Sequence, residues 1–153
     1  MILDERNEFA DAVSCNTGAA GTYNIGDQIP LGTAGDIGLS DNLWLVVTVA
    51  TGITVASSTG TVAFQLASDA SASIATDGSQ SIHATSKAWA TSTTAIAAGT
   101  VLFMVKLPAQ GTVYEGYIGV QQVTGTTAIN AGAVNAFLTP DVSKWTAIAA
   151  PWQ

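Results

Sequence analysis

The apolar positions of this chain recur at every second residue in short runs, and no stretch in its middle sustains the 3.6-residue period of a helix. Residues 61–67 are the plainest case, with Val62, Phe64 and Leu66 on one face and Thr61, Ala63 and Gln65 on the other. In residues 101–107, Val101, Phe103, Val105 and Leu107 oppose Lys106, which puts the odd positions inside. Val62, Phe64, Leu66, Phe103 and Val105 are therefore the expected core. Runs of strand length also occupy residues 43–49, 80–85, 115–123 and 133–138, with weaker ones at 22–25 and 94–96. Clusters of Gly, Ser, Asp and Pro separate them. About eight strands at this spacing predict an all-β chain folded as an antiparallel jelly-roll β-sandwich with extended N- and C-terminal segments.

One run breaks the alternation. In residues 43–49, Leu43, Leu45, Val47 and Val49 are opposed by Trp44, Val46 and Thr48, so this strand is central or turns its outer face to another subunit. Both chain ends also differ from the middle. Residues 1–12 combine acids with the apolar Ile2, Leu3 and Phe9 and read as a short helix or an arm laid on a neighbour. Residues 140–153 lack strand alternation yet contain Trp145, Ile148 and Trp152. The expected organisation is an arm over 1–12, a sandwich over 13–139 and a tail over 140–153. Large apolar side chains in short terminal segments need cover and the outer face of 43–49 offers Trp44 to a neighbour, so Ile2, Leu3, Phe9, Trp44, Trp145, Ile148 and Trp152 are the expected interface residues.

Composition narrows the partners. The 153 residues suit one domain. Only 10% are charged, against roughly 25% in an average soluble protein, so small neutral side chains must form much of the surface. The net charge is −7, and Arg6, Lys87, Lys106 and Lys144 are the only Lys and Arg residues. Four scattered cations cannot build the basic face that nucleic acid or an anionic membrane requires. No apolar run approaches the ~20 residues of a membrane span. The first residues lack the basic and apolar regions of a secretory signal, so synthesis in a cytoplasm is expected. Cys15 is alone and reads as a small apolar filler.

Candidate chemistry is sparse. His83, the single histidine, lies opposite Ile82 in its run and reads as a solvated strand residue, with no G-x-S-x-G elbow to supply a nucleophile. One His and one Cys cannot make a zinc site within one chain, and Asp69 and Asp77 fit no calcium-loop pattern. No catalytic residue, metal or cofactor is expected. Asp27, Asp36, Asp41 and Glu115 could in principle pair for glycoside hydrolysis, but most such acids sit where turn chemistry puts them anyway. The glycines of residues 32–38 match neither phosphate-binding spacing. Trp44, Trp89, Tyr114, Tyr117 and Trp145 leave open a carbohydrate-binding β-sandwich, such as a tail-fibre or secreted module, as the alternative.

The order of motifs nevertheless resembles a known family. Met1-Ile2-Leu3-Asp4 with Phe9 and Asp11-Ala12, then Leu31-Gly32 through Asp36-Ile37-Gly38 into residues 43–49, are similar to the jelly-roll capsid cement, or decoration, proteins of tailed double-stranded-DNA phages, as described from Bordetella-type short-tailed phages. Residues 62–69 (VAFQLASD), 102–108 (LFMVKLP), 117–120 and 133–138 follow in that family's order, while Pro30 and the ending 143–153 depart from it. The resemblance implies a non-enzymatic virion protein on the outer capsid surface that bridges neighbouring copies of the major capsid protein. A homo-oligomer is expected, a dimer before a trimer. Strand edges without Lys or Pro guards would be covered in such an assembly.

Overall fold

The computed structural model describes residues 5–32, 43–55, 59–91, 95–107 and 113–142. A 3-10 turn at Glu5–Asn7 leads into nine strands: β1 Glu8–Ser14, β2 Gly21–Pro30, β3 Trp44–Val55, β4 Thr61–Asp69, β5 Ser81–Thr85, β6 Trp89–Ala90, β7 Val101–Lys106, β8 Tyr117–Gly125 and β9 Ile129–Thr139. They form two antiparallel sheets, one ordered β1-β9-β3-β7 and the other β2-β8-β4-β5, with β6 also on β4. Because β5 and β6 share one side of β4, they act as a single interrupted edge strand. Successive strands then alternate between the sheets except at the β4–β5 hairpin, whose strands pair within the second sheet, and the first and last strands lie side by side. This is the expected jelly roll.

The core lies where the inner faces meet. Val62, Phe64 and Leu66 of β4 face Leu45, Val47 and Val49 of β3 and Val134, Ala136 and Leu138 of β9 across the sandwich, all within one buried cluster. Phe103 is buried and Val105 packs on the cluster while half-buried, as the alternation of β7 requires. Cys15 is buried in the same cluster, and burial pushes its thiol up to about 11, so it is an inert filler.

Several sequence expectations need correction. Residues 8–12 are not part of an arm. They belong to β1, where Phe9, 1% exposed, is a core residue of its own sandwich and not an interface residue. Alternation is hidden there by two register shifts, around a left-handed Ala12 (φ 48°), which leave Phe9 and Ala10 both buried. The strand edges are also guarded. β1 is bulged, β2 is bulged at Gly26 (φ 66°) and ends on Pro30, β7 carries Lys106, and the fourth edge is split in two. Gly26 has no substitute, since a side-chain carbon there would sit 1.9 Å from the Phe9 carbonyl oxygen. Unguarded edges therefore give no argument for assembly. Of the weak run 94–96, Ile96 makes a single bridge to Ile53, and residue 94 lies outside the described residues.

Part of the outer face of the second sheet is covered by its own chain. Residues 70–80 fold back over it, with Ile74 buried against Gly119. Beneath them Gln121 accepts hydrogen bonds from Gln65 Nε2 at 2.9 Å and Gln80 Nε2 at 3.3 Å, and donates to Asn24 Oδ1 and the Ala75 carbonyl, both at 2.8 Å. Every polar atom of this buried amide is matched, which is why the outward row of β4 and β8 tolerates Gln at zero to five per cent exposure.

Candidate functional site

The pairings give the sandwich two unlike ends. At one end lie the starts of β1, β3, β5 and β8 and the finishes of β2, β4, β7 and β9, with Trp44 beside both Lys106 and Thr139, and Pro30 beside Tyr117. The chain enters its first strand and leaves its last one at this Trp44 end. Among the described residues, every acid apart from Asp11 and Asp27 lies in a segment that enters or leaves a strand here, namely Glu5, Glu8, Asp69, Asp77, Glu115 and Asp141. The described residues of the opposite connections, 15–20, 59–60, 86–91, 95–100 and 126–128, contain no carboxylate and one cation, Lys87. Charge is thus polarised along the molecule, a property set by loop composition that linear reading does not reveal.

Of the expected interface residues, Trp44 is half-buried at the start of β3. Ile2, Leu3, Trp145, Ile148 and Trp152 lie outside the described residues, in segments whose nearest described neighbours, residues 5 and 142, flank the Trp44 end. A groove of about 540 Å³ opens at the same end, lined by Arg6, Glu8, Asp27, Gln28, Ile29 and Pro30. It joins the first turns of β1 to the last of β2 and mixes charge with apolar surface.

Just beneath this end is a polar cluster. Ser68, the last inward residue of β4, has its Oγ 2.7 Å from His83 Nε2 and accepts the Glu115 backbone N–H at 3.1 Å. Ser81 Oγ donates to Glu115 Oε1 at 2.7 Å, and the His83 ring stacks on Tyr114 with centroids 3.9 Å apart. Three segments, β4, β5 and the connection from β7 to β8, are tied together through these contacts. The solvated reading of His83 is therefore wrong: it is 6% exposed, while Ile82 is the outward residue at 46%. A bulge in the β4–β5 pairing leaves His83 without a cross-strand partner and turns it inward, where Ser68 and Tyr114 receive it. The signal available in the sequence was Ser68 itself, a polar residue at the next inward position after Val62, Phe64 and Leu66.

A serine hydroxyl 2.7 Å from an imidazole has the spacing of a nucleophile and its base. Here Ser68 is fully buried and His83 Nδ1 has no hydrogen-bond partner, so neither access for a substrate nor an orienting carboxylate is in place. Among the described residues, no three His, Cys, Asp or Glu side chains gather to hold a metal ion. The aromatics are used one by one. Trp89 donates Nε1–H to the Leu102 carbonyl of the opposite sheet at 3.0 Å under the Lys87 ammonium, and Tyr114 is buried below His83.

Comparison with known proteins gives one decisive match. The profile of the Bbp16 family covers residues 9–138, from the second residue of β1 to the last but one of β9. The chain belongs to the Bbp16 family. The name points to a Bordetella phage protein, so the phage origin implied by the sequence resemblance has independent support. No curated protein matches the chain. The Bbp16 match takes in residues of all nine strands and stops short of residues 1–8 and 139–153.

Proposed function

We propose that this Bbp16-family chain is a capsid cement protein, a non-enzymatic virion component that sits on the outer surface of the phage shell and bridges neighbouring major capsid proteins. The observation that carries this reading is the family match across the whole sandwich. The polarity of the molecule supports it and gives it a direction: the Trp44 end, with the chain termini, the acidic loops and the groove at Arg6 and Pro30, is the attachment end. The neutral end, built of Gly, Ala, Ser and Thr turns, faces solvent. Attachment then draws on the termini, through Ile2, Leu3, Trp145, Ile148 and Trp152, together with Trp44. Many modest contacts repeated over a lattice hold such a layer by avidity, and pairing of two copies is the simplest bridging unit.

Quantitative mass spectrometry of purified virions tests the reading. A cement protein appears at a copy number of the same order as the major capsid protein and is stripped from intact shells by mild denaturant. A few copies per particle, or release only with the tail, would place it elsewhere.

A further inference from the structure

We propose that the Ser68–His83–Glu115 cluster is an acid-released latch that holds the Trp44 end closed while His83 is neutral and lets its loops go when His83 takes up a proton. Ser68 Oγ accepts the Glu115 N–H and lies 2.7 Å from His83 Nε2. Donation of its hydroxyl proton to Nε2 leaves fewer buried groups unmatched than the reverse direction, which would strand both the Ser68 O–H and the Nδ1 lone pair. The imidazole is then the tautomer protonated at Nδ1, and Nδ1 is buried with no acceptor.

Adding a second proton at Nε2 removes the acceptor of the Ser68 hydroxyl. It also places a cation in a site 94% closed to water, given the 6% exposure of His83. Two buried donors, Ser68 O–H and His83 Nδ1–H, would then be unmatched. The charged groups around the ring do not repair this. Glu115, on the connection to β8, is the carboxylate whose field reaches His83, but its Oε1 is engaged by Ser81. Asp69, next to Ser68 on β4, is turned to the amides of Ser71 and Ala75. Tyr114 offers the face of its ring. Burial accordingly holds His83 below the usual histidine range, with Glu115 opposing it only in part. The imidazolium is best served by leaving the stack on Tyr114 for water, which frees β5 from Ser68 and the segment around Glu115 from β4.

The latch is a property of the isolated chain. Only its consequence, looser attachment to the shell in acid, rests on the cement reading. His83 is the one histidine, so its ring proton gives a single NMR titration in the unmodified protein. The expected midpoint lies below 6.5. Between about pH 8 and about pH 5, amides of residues 81–85 and 113–117 should exchange about tenfold faster than intrinsic rates explain, while those of 129–139 hold. His83→Gln should flatten that response. A midpoint at or above 6.5, or the same exchange profile in wild type and H83Q, overturns the latch. Should H83Q fail to fold, the wild-type titration and exchange decide alone. Shell retention at the two pH values is a separate arm: a chain that opens in acid yet is missing from virions refutes the cement reading and leaves the latch standing.

Discussion

Val62, Phe64 and Leu66 point from β4 into the space between the sheets, and Ser68 stands two residues further along the same row. All four are closed to solvent. The first three are held by non-directional packing against β3, β8 and β9, which tolerates small adjustments and grows with apolar area. Ser68 is held by two hydrogen bonds to groups from two other segments, and its burial is favourable only while both exist. One strand face thus passes from an apolar packed core to a hydrogen-bonded polar cluster beneath the end where β1 starts and β9 finishes.

The largest expected effect is at the packed part. Phe64→Ala removes a fully buried ring from the centre of the cluster and should cost about 3–5 kcal/mol in denaturant unfolding. A loss under about 1 kcal/mol would mean the inner row is not the core. Next is the amide hub on the outer face of the same strand pair. Gln121→Leu fills a similar volume but strands Gln65, Gln80, Asn24 and the Ala75 carbonyl, for about 2–4 kcal/mol. Hydrogen exchange should show residues 70–80 released. Ser68→Ala should cost about 1–3 kcal/mol by leaving the Glu115 N–H and His83 Nε2 unmatched. An effect as large as that of Phe64→Ala would erase the distinction between the two parts of the row.

Smaller still, and confined to separate pH ranges, are the titration effects. The folded chain binds a proton at His83 less readily than the unfolded chain does, so the unfolded state carries more protons as pH falls through 6.5. Stability is therefore full above that value, declines below it, and levels off under the folded-state pKa. Asp69 behaves in the opposite sense. The backbone amides of Ala75 and Ser71 hold its carboxyl below 3.8, so its contribution is present above 3.8 and is lost as pH falls through the lower folded-state value. Thermal melts across pH should show two separate declines, and H83Q should abolish only the first.

How much of this was legible follows from where period-two patterning survives. β4 and β8 were readable because they pair with each other without a register shift, and β3, β7 and β9 because their alternating or continuous apolar runs are long enough to survive the shifts in their pairing. β1 was hidden because its bulges bring Phe9 and Ala10 inward together, and its acids then look like an arm. β6 has two residues, too few for any period. At the site, the attraction of Ile82 for the interior argued against an inward His83, and only the three-dimensional meeting of Ser68, Tyr114 and Glu115 reverses that preference. Gathering the acids at one end depends on strand direction, which sequence spacing does not carry.

The central claim is attachment to the shell by the Trp44 end, and imaging of reconstituted particles tests it most directly. Shells assembled without this protein are incubated with the purified chain and mapped by cryo-electron microscopy. The account requires jelly-roll density on the outer surface at many lattice-equivalent positions, with the start of β3 and the finish of β9 against the capsid protein and the turns at 15–20 and 126–128 facing outward. Bare shells under saturating protein, or density with the neutral turns seated on the capsid, would contradict it.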